Sequence, residues 1–431
     1  MTAPAADLTP EEREAIQRRV LRVLTGGQVV GAAALASAVT VGAFVVQGIL
    51  GETTTWAGIA TATVTTGTAV MSQVLSRLMR RRGRRPGLQL GYGMAVVGGL
   101  TAALGAQQRW LPVFLLGLFI YGNGQASNLL ARYTAADLAL PDERSRAISR
   151  IVFASTFGAV FGPLGIGPTE WVAEHWLGLW KYTGPFLFAS VFFFFAMVNI
   201  ALRLRPDPLV LAGGVTPSGD GAPKLPPIRA SLGVIAGLPK ARLAVLAMMV
   251  SQASMVAVMA MTPVHMKLHG HESVSQYVVS THIAGMYALS PLVGRFADRK
   301  GRIPAILVGG ATLIAATVLA AFAGDVEQLL FPALWLLGFG WNFGLIGGSS
   351  LLTESVPAAE RVAVQGSADL LMSFCGGIAG FSSGFIRAAL GYHMLANLGT
   401  LAAGMLVVVA YGYLQSARRQ AGAEPAPAAG G

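Results

Sequence analysis

Charge is scarce in this sequence. Asp, Glu, Lys and Arg together make up 12% of its 431 residues, about half of what a soluble domain carries. That deficit excludes a molecule wetted on all sides and implies lipid as the solvent for most side chains. Cysteine is nearly absent, Cys375 being the only one, so no disulfide can form within the chain. Beside Gly376 and Gly377 it reads as a small packing residue. The basic residues fall in short loops without interleaved aromatics, which argues against a nucleic-acid-binding surface. No signal-peptide pattern opens the chain. Thr9-Pro10-Glu11-Glu12 instead predicts a helix start, with Thr9 as N-cap and Pro10 in the first turn. The REAIQRRVLRVL segment that follows is expected to be a basic amphipathic lead-in, residues 1–22, lying at the membrane surface.

What is present is apolar. Hydrophobic residues make up 54% of the chain, and mean hydropathy is +0.59. Long runs cover Gly26 to Leu50, Pro112 to Ile120, Phe186 to Leu202 and Ala305 to Ala323. Lipid-exposed backbone must close its hydrogen bonds within a helix, and the 54 glycines suit close helix approach in a membrane. The pattern predicts an all-α membrane protein with twelve transmembrane helices. The spans are 23–49, 55–78, 87–107, 110–138, 146–166, 184–204, 241–264, 274–297, 304–323, 328–355, 362–387 and 392–415. Most of the 31 Lys and Arg fall on one side of these spans. Arg109, Lys181, Lys267 and Arg387 fall on the other. The bias predicts both termini inside. Trp56, Trp110, Trp171, Trp176 and Trp180 then lie at the outer interface, as an aromatic belt does.

The chain divides in two. Residues 205–240, rich in Pro and Gly, read as an inner linker between six-helix halves at 23–204 and 241–415, and 416–431 as a disordered tail. RRRGRRPG (80–87) answers DRKGRIPA (298–305), and AADLALPDERSRAIS (135–149) answers LTESVPAAERVAVQG (352–366), setting Asp137 against Glu354. GRFADRKGR (294–302) matches G-x-x-x-D-R-x-G-R, and through it the chain resembles the major facilitator superfamily. The resemblance implies two parallel six-helix halves that rock about a midplane cavity. It also implies a multi-pass transporter of a bacterial-type cytoplasmic membrane, no enzyme, with no cofactor and a monomer expected. In the motif Gly294 permits close helix approach, Asp298 can cap a neighbouring helix, and Arg299 and Arg302 are expected to face the inner leaflet. The first half has Ser76 for the Gly and Arg80 for the Asp, so its matching gate contact is in question.

Ionisable groups inside a membrane are costly and thus functional candidates. They are Arg132, Asp137, His265, His282, Glu354 and Asp369. Asp137 and Glu354 read as solvated helix ends. Arg132 and Asp369 share a depth, so they can pair to close the inner gate, or Asp369 can couple transport to protons. Asn123, Gln125 and Asn128 in the fourth span, with Trp341 and Asn342 in the tenth, are the candidate cavity groups.

The seventh and eighth spans carry soft ligands at helical spacing: Met255 and Met259, then His282 and Met286. In an antiparallel hairpin Met259 and His282 both lie about 11 Å deep, and Met255 and Met286 about 17 Å. Thioether and imidazole suit Cu(I). His265, Met266, His269 and His271 can form a capture patch at the mouth. The paired M-x-x-x-M and H-x-x-x-M resemble those of the CcoA-like copper importers, and imply uptake of copper as substrate through these four residues. The alternative is a proton-coupled carrier of a small organic molecule, vitamin-like or a drug, with the methionines and Trp341 as a pliable apolar surface.

Overall fold

The computed structural model describes residues 9–51, 56, 59–215, 228–268, 272–323 and 327–423. Its first group of helices is α1 (Pro10–Leu50), α2 (Ile59–Arg82), α3 (Arg84–Gln107), α4 (Leu111–Ala136), α5 (Arg144–Leu164), α6 (Ile166–His175) and α7 (Gly184–Arg203). Two short helices follow, α8 (Pro208–Leu211) and α9 (Ile228–Gly237). The second group is α10 (Pro239–Leu268), α11 (Glu272–Tyr287), α12 (Ser290–Lys300), α13 (Arg302–Phe322), α14 (Glu327–Ser355), α15 (Ala358–Leu390) and α16 (Tyr392–Ala423).

Each of the twelve predicted spans corresponds to a helix or, for α5–α6 and α11–α12, a pair. By length and hydropathy eight helices among the described residues are able to cross a membrane, nine if α5 and α6 count as one span bent by 45°. Those that fall short are α2, α4 and the α11–α12 pair. α2 and α4 turn Thr, Asn and Gln toward the cavity described below, and α11 and α12 are short, at 16 and 11 residues.

Two expectations need correction. The lead-in is no separate surface helix, because α1 runs unbroken from Pro10. Its start is a capping box, with Thr9 and Glu12 bonded reciprocally, and those bonds hold the Glu12 carboxyl below its usual range. The extension instead staples α4: Arg13 Nε donates to the Leu138 carbonyl at 3.0 Å and Gln17 Nε2 to that of Ala135 at 2.8 Å. These carbonyls have no partner inside a helix end. At the other terminus α16 continues to Ala423, through the first eight residues of the expected tail. A soluble amphipathic stretch extends a membrane helix wherever nothing breaks it.

The sequence repeat is a structural one. Gly83 and Gly301 occupy equivalent turns, with φ of 93° and 100°, a left-handed conformation that glycine adopts without a Cβ clash. Within the first group α3 packs on α4, and in the second α13 on α14. The two groups meet along α2 against α15 and α5 against α12. Both contacts need a small residue, and they find it on opposite partners. A Cβ on Gly294 of α12 would strike Ser149 of α5, whereas on the other seam a Cβ on Gly366 of α15 would strike Ser76 of α2. Ser76 and Gly294 are repeat equivalents, as are Ser149 and Gly366. The departure at Ser76 therefore keeps the contact by exchanging the two sides.

Candidate functional site

A cavity of about 450 Å³ opens between the two groups, walled by α1, α2, α4 and α5 on one side and α10, α11, α14 and α15 on the other. Its wall is amphipathic. Gln28, Gln125, Asn128 and Gln252 contribute amides, and Thr61, Thr65, Thr68 and Ser155 hydroxyls. Met255, Met259, Met286, Met372, Tyr287 and Trp341 supply soft and aromatic surface. Trp341 is fixed by its Nε1–H, which donates to Gln252 Oε1 at 2.7 Å, and by an edge-on contact with Tyr287.

Arg132 stands at one end of the cavity. Its Nη2 donates to Asp369 Oδ1 at 2.5 Å across the seam, and Nη1 lies 3.5 Å from Oδ2. Nε donates to Ser349 at 3.0 Å, Nη1 to the Leu129 carbonyl at 2.6 Å, and Nη2 also to Tyr133 Oη at 3.2 Å. The guanidinium and carboxylate are 2% and 0% exposed, so each is the other's main compensation for lost water.

Beyond this pair, toward the end richest in Lys and Arg, the groups are bonded again and again. Gln73 donates to Ser367 at 2.9 Å. Arg84 forms a two-point pair with Asp137, at 2.8 and 3.1 Å, and donates across the seam to Gln365 at 2.8 Å. Its repeat equivalent Arg302 pairs with Glu354 at 2.6 Å, and reaches across to the Pro141 carbonyl at 2.5 Å. Asp298 accepts from the backbone N–H of Ser145 and Arg146 at 3.0 and 2.9 Å, and so caps the free start of α5. Arg299 is exposed. Among the described residues, no such bond joins the groups beyond the cavity at the opposite end.

Several expected positions change. Arg302 is buried against Asp298 and Glu354 and does not face the leaflet. Asp137 is no solvated helix end, being 2% exposed beside Arg84. Of the cavity candidates, Gln125, Asn128 and Trp341 line the wall. Asn123 turns back to its own Ile120 carbonyl, and Asn342 accepts from Ser290. Met255, Met259 and Met286 line the cavity, but His282 does not. α11 packs chiefly on α14, and His282 donates Nδ1–H to the Leu334 carbonyl there at 2.8 Å, with Nε2 buried and unpartnered. Met266 is buried at 1% exposure and is not at a mouth, and His265 stacks on Tyr392 of α16. His269 and His271 lie outside the described residues. No cluster of three His, Cys, Asp or Glu that could hold a metal occurs among the described residues. Arg84, Gln73 and Gln252 went unnoticed in the sequence. The repeat that aligns Arg84 with Arg302 was the signal for the first.

Residues 24–380 and 243–429 match the sequence profile of the Major Facilitator Superfamily. Among curated proteins, the chain is 37% identical over 409 residues to YdeG of Bacillus subtilis (strain 168), described as an uncharacterized MFS-type transporter, covering 93% of each chain. It is 28% identical over 385 residues to the riboflavin transporter RfnT of Brucella anthropi, covering 88% of this chain and 91% of that one. Among solved structures, the human organic anion transporter MFSD10 aligns with a TM-score of 0.72 at 16% identity, over 92% of this chain and 99% of that one. The transporter FucP in its outward conformation aligns with a TM-score of 0.72 at 16% identity, over 91% and 97%. At such identity these two share the fold.

Proposed function

The chain belongs to the Major Facilitator Superfamily, and from that premise we propose that it carries a small organic molecule through the central cavity by alternating access. It is a multi-pass membrane transporter and not an enzyme. The observation that carries the proposal is the cavity itself. About 450 Å³ with a mixed amide, aromatic and thioether wall matches the size and character of sites for ring-bearing molecules. A bare metal ion would leave most of it empty. The riboflavin-carrying relative supports a substrate of that kind.

In this reading 23–204 and 241–415 are the rocking units, and 205–240 ties them together. Arg132 and Asp369 form the lock at the cavity floor. Arg84 with Gln365, and Asp298 with the start of α5, are the outer rungs of the same gate. The Lys/Arg bias puts this closed end in the cytoplasm, so the described state faces outward, from the cytoplasmic membrane of a bacterium. Protonation of Asp369 is the proposed coupling step, since it would weaken the lock without touching the rest of the gate.

Copper is a second reading, favoured by one observation: Met255, Met259 and Met286 line the same cavity. Against it, His282 is turned to Leu334, so the relay lacks its imidazole. The test is uptake by proteoliposomes, with radiolabelled riboflavin and other heterocyclic vitamins run beside copper. The organic reading expects saturable uptake of at least one organic compound, lost in Trp341→Ala. Copper uptake that disappears in Met286→Leu, with no organic compound carried, would replace it.

A further inference from the structure

Arg132 is the one charged side chain among the described residues lining the cavity. Its five N–H groups are all engaged, with Ser349, Leu129, Tyr133 and both oxygens of Asp369. The wall therefore gives a charged ligand no free partner of either sign. What it does give is amide groups with unused atoms. Gln28, 6% exposed, donates Nε2–H to Ser155 at 2.9 Å, and its Oε1 is buried without a partner. Asn128 uses Oδ1 to accept from Tyr92 at 2.9 Å, and its Nδ2 makes no hydrogen bond among the described residues. Gly31, one turn along α1 from Gln28, abuts the Asn128 side chain. A free acceptor and a free donor thus stand on adjoining helices, across the cavity from Trp341.

We propose that the substrate is an electrically neutral, planar ring with a cyclic amide edge, –NH–C(=O)–. The edge donates to Gln28 Oε1 and accepts from Asn128 Nδ2, while the ring lies against Trp341 and the thioethers of Met255, Met259 and Met286. This rests on the reading of the cavity as an organic substrate's site. An –NH–C(=O)– edge satisfies an acceptor beside a donor in one contact. A carboxylate, phosphate or ammonium would enter a site with its charge unmatched, which is costly away from water. Thioethers favour aromatic ring edges and faces.

The test alters the ligand, so misfolding cannot mimic its result. Equilibrium dialysis of the purified full chain in nanodiscs measures binding of riboflavin, lumichrome and uracil. Each is compared with the form methylated at every ring N–H (N3-methylriboflavin, 1,3-dimethyllumichrome and 1,3-dimethyluracil), which has no –NH–C(=O)– edge left. Flavin mononucleotide and acriflavine serve as anionic and cationic probes. At least one neutral imide should bind, and methylation should weaken it about ten- to hundredfold, the effect of leaving a buried acceptor unmatched. Both charged probes should bind at least as weakly as the methylated form. In Gln28→Leu the N–H and N-methyl forms should bind alike. Equal binding of the methylated forms, tightest binding of a charged probe, or no binding of any neutral imide overturns the proposal. Tight organic binding without this selectivity sinks the imide edge and leaves the organic reading standing, whereas binding of Cu(I) alone sinks both.

Discussion

Asp369→Asn should close the end of the transporter that is now open. Arg132 and Asp369 are 2% and 0% exposed and bridge α4 and α15 across the seam. Replacing the carboxylate by an amide leaves hydrogen-bonding capacity but strands a guanidinium in a dry site. Breaking a buried pair from one side costs about 3–5 kcal/mol, or about two to four orders of magnitude in an equilibrium. That cost exists only while the gate is shut, because opening lets water reach Arg132. The equilibrium must then move toward the state open at the basic end. Arg132→Met should do the same more weakly, since a stranded carboxyl can take up a proton whereas a guanidinium cannot lose one. The double variant Arg132→Met, Asp369→Leu removes both charges, and should lie nearer the parent than Asp369→Asn does. Distances between spin labels at Gln108→Cys and Leu390→Cys, in a Cys375→Ser background, report the far end. They should shorten in Asp369→Asn and lengthen again in the double variant. Unchanged distances in Asp369→Asn, or strictly additive effects, would show that the pair does not hold the gate.

Asp298→Ala removes a helix cap that is typically worth about 1 kcal/mol. It should reduce uptake of any substrate while membrane insertion, followed by fluorescence-detected size exclusion, stays normal; full uptake would mean the gate does not need it. Gly294→Ser should jam α12 against Ser149, and adding Ser149→Gly should restore uptake by recreating the first-half arrangement. Failure of that rescue would show that the two seams are not interchangeable. Met286→Leu keeps the volume and removes the sulfur, so uptake of an organic substrate should stay within about threefold; loss of all transport would favour the copper relay. Because Glu12 has its pKa lowered by Thr9, the capping box contributes at neutral pH and is lost as pH falls through that lowered value. Amide exchange at residues 11–13 should therefore quicken in acid relative to Thr9→Ala, and an identical pH response in both would refute the box.

Depth along a helix was legible in the sequence; direction around it was not. Counting residues put Arg132 and Asp369 at one level, and both are on the seam, so level was enough. For His282 and Met259 the same count matched depths, yet α11 is rotated so that His282 meets Leu334 on α14 while its neighbour Met286 faces the cavity. Asn123, Gln125 and Asn128 show the same problem within one helix, since they point in different directions and only packing decides which face is wet. Asp137 was misread because helix ends near Pro and charged residues are usually solvated. Its burial depends on Arg84, which arrives from another helix through a turn at Gly83. The fold itself was plain, because the apolar runs, the repeat and the Asp298 loop all pointed the same way.

The contact between Arg132 and Ser349 has a geometric meaning of its own. These two residues occupy the same position in the two halves of the repeat, yet they touch, with Nε 3.0 Å from Oγ. Counterparts meet only where the axis relating the halves passes between them. At that place a perfectly symmetrical protein would set each side chain against its own copy, and two guanidinium groups there would repel in a low-dielectric interior. A charge can stand on the axis only if one half carries it and the other does not. Duplication alone could never have built this lock, so the two halves had to grow unlike each other there first.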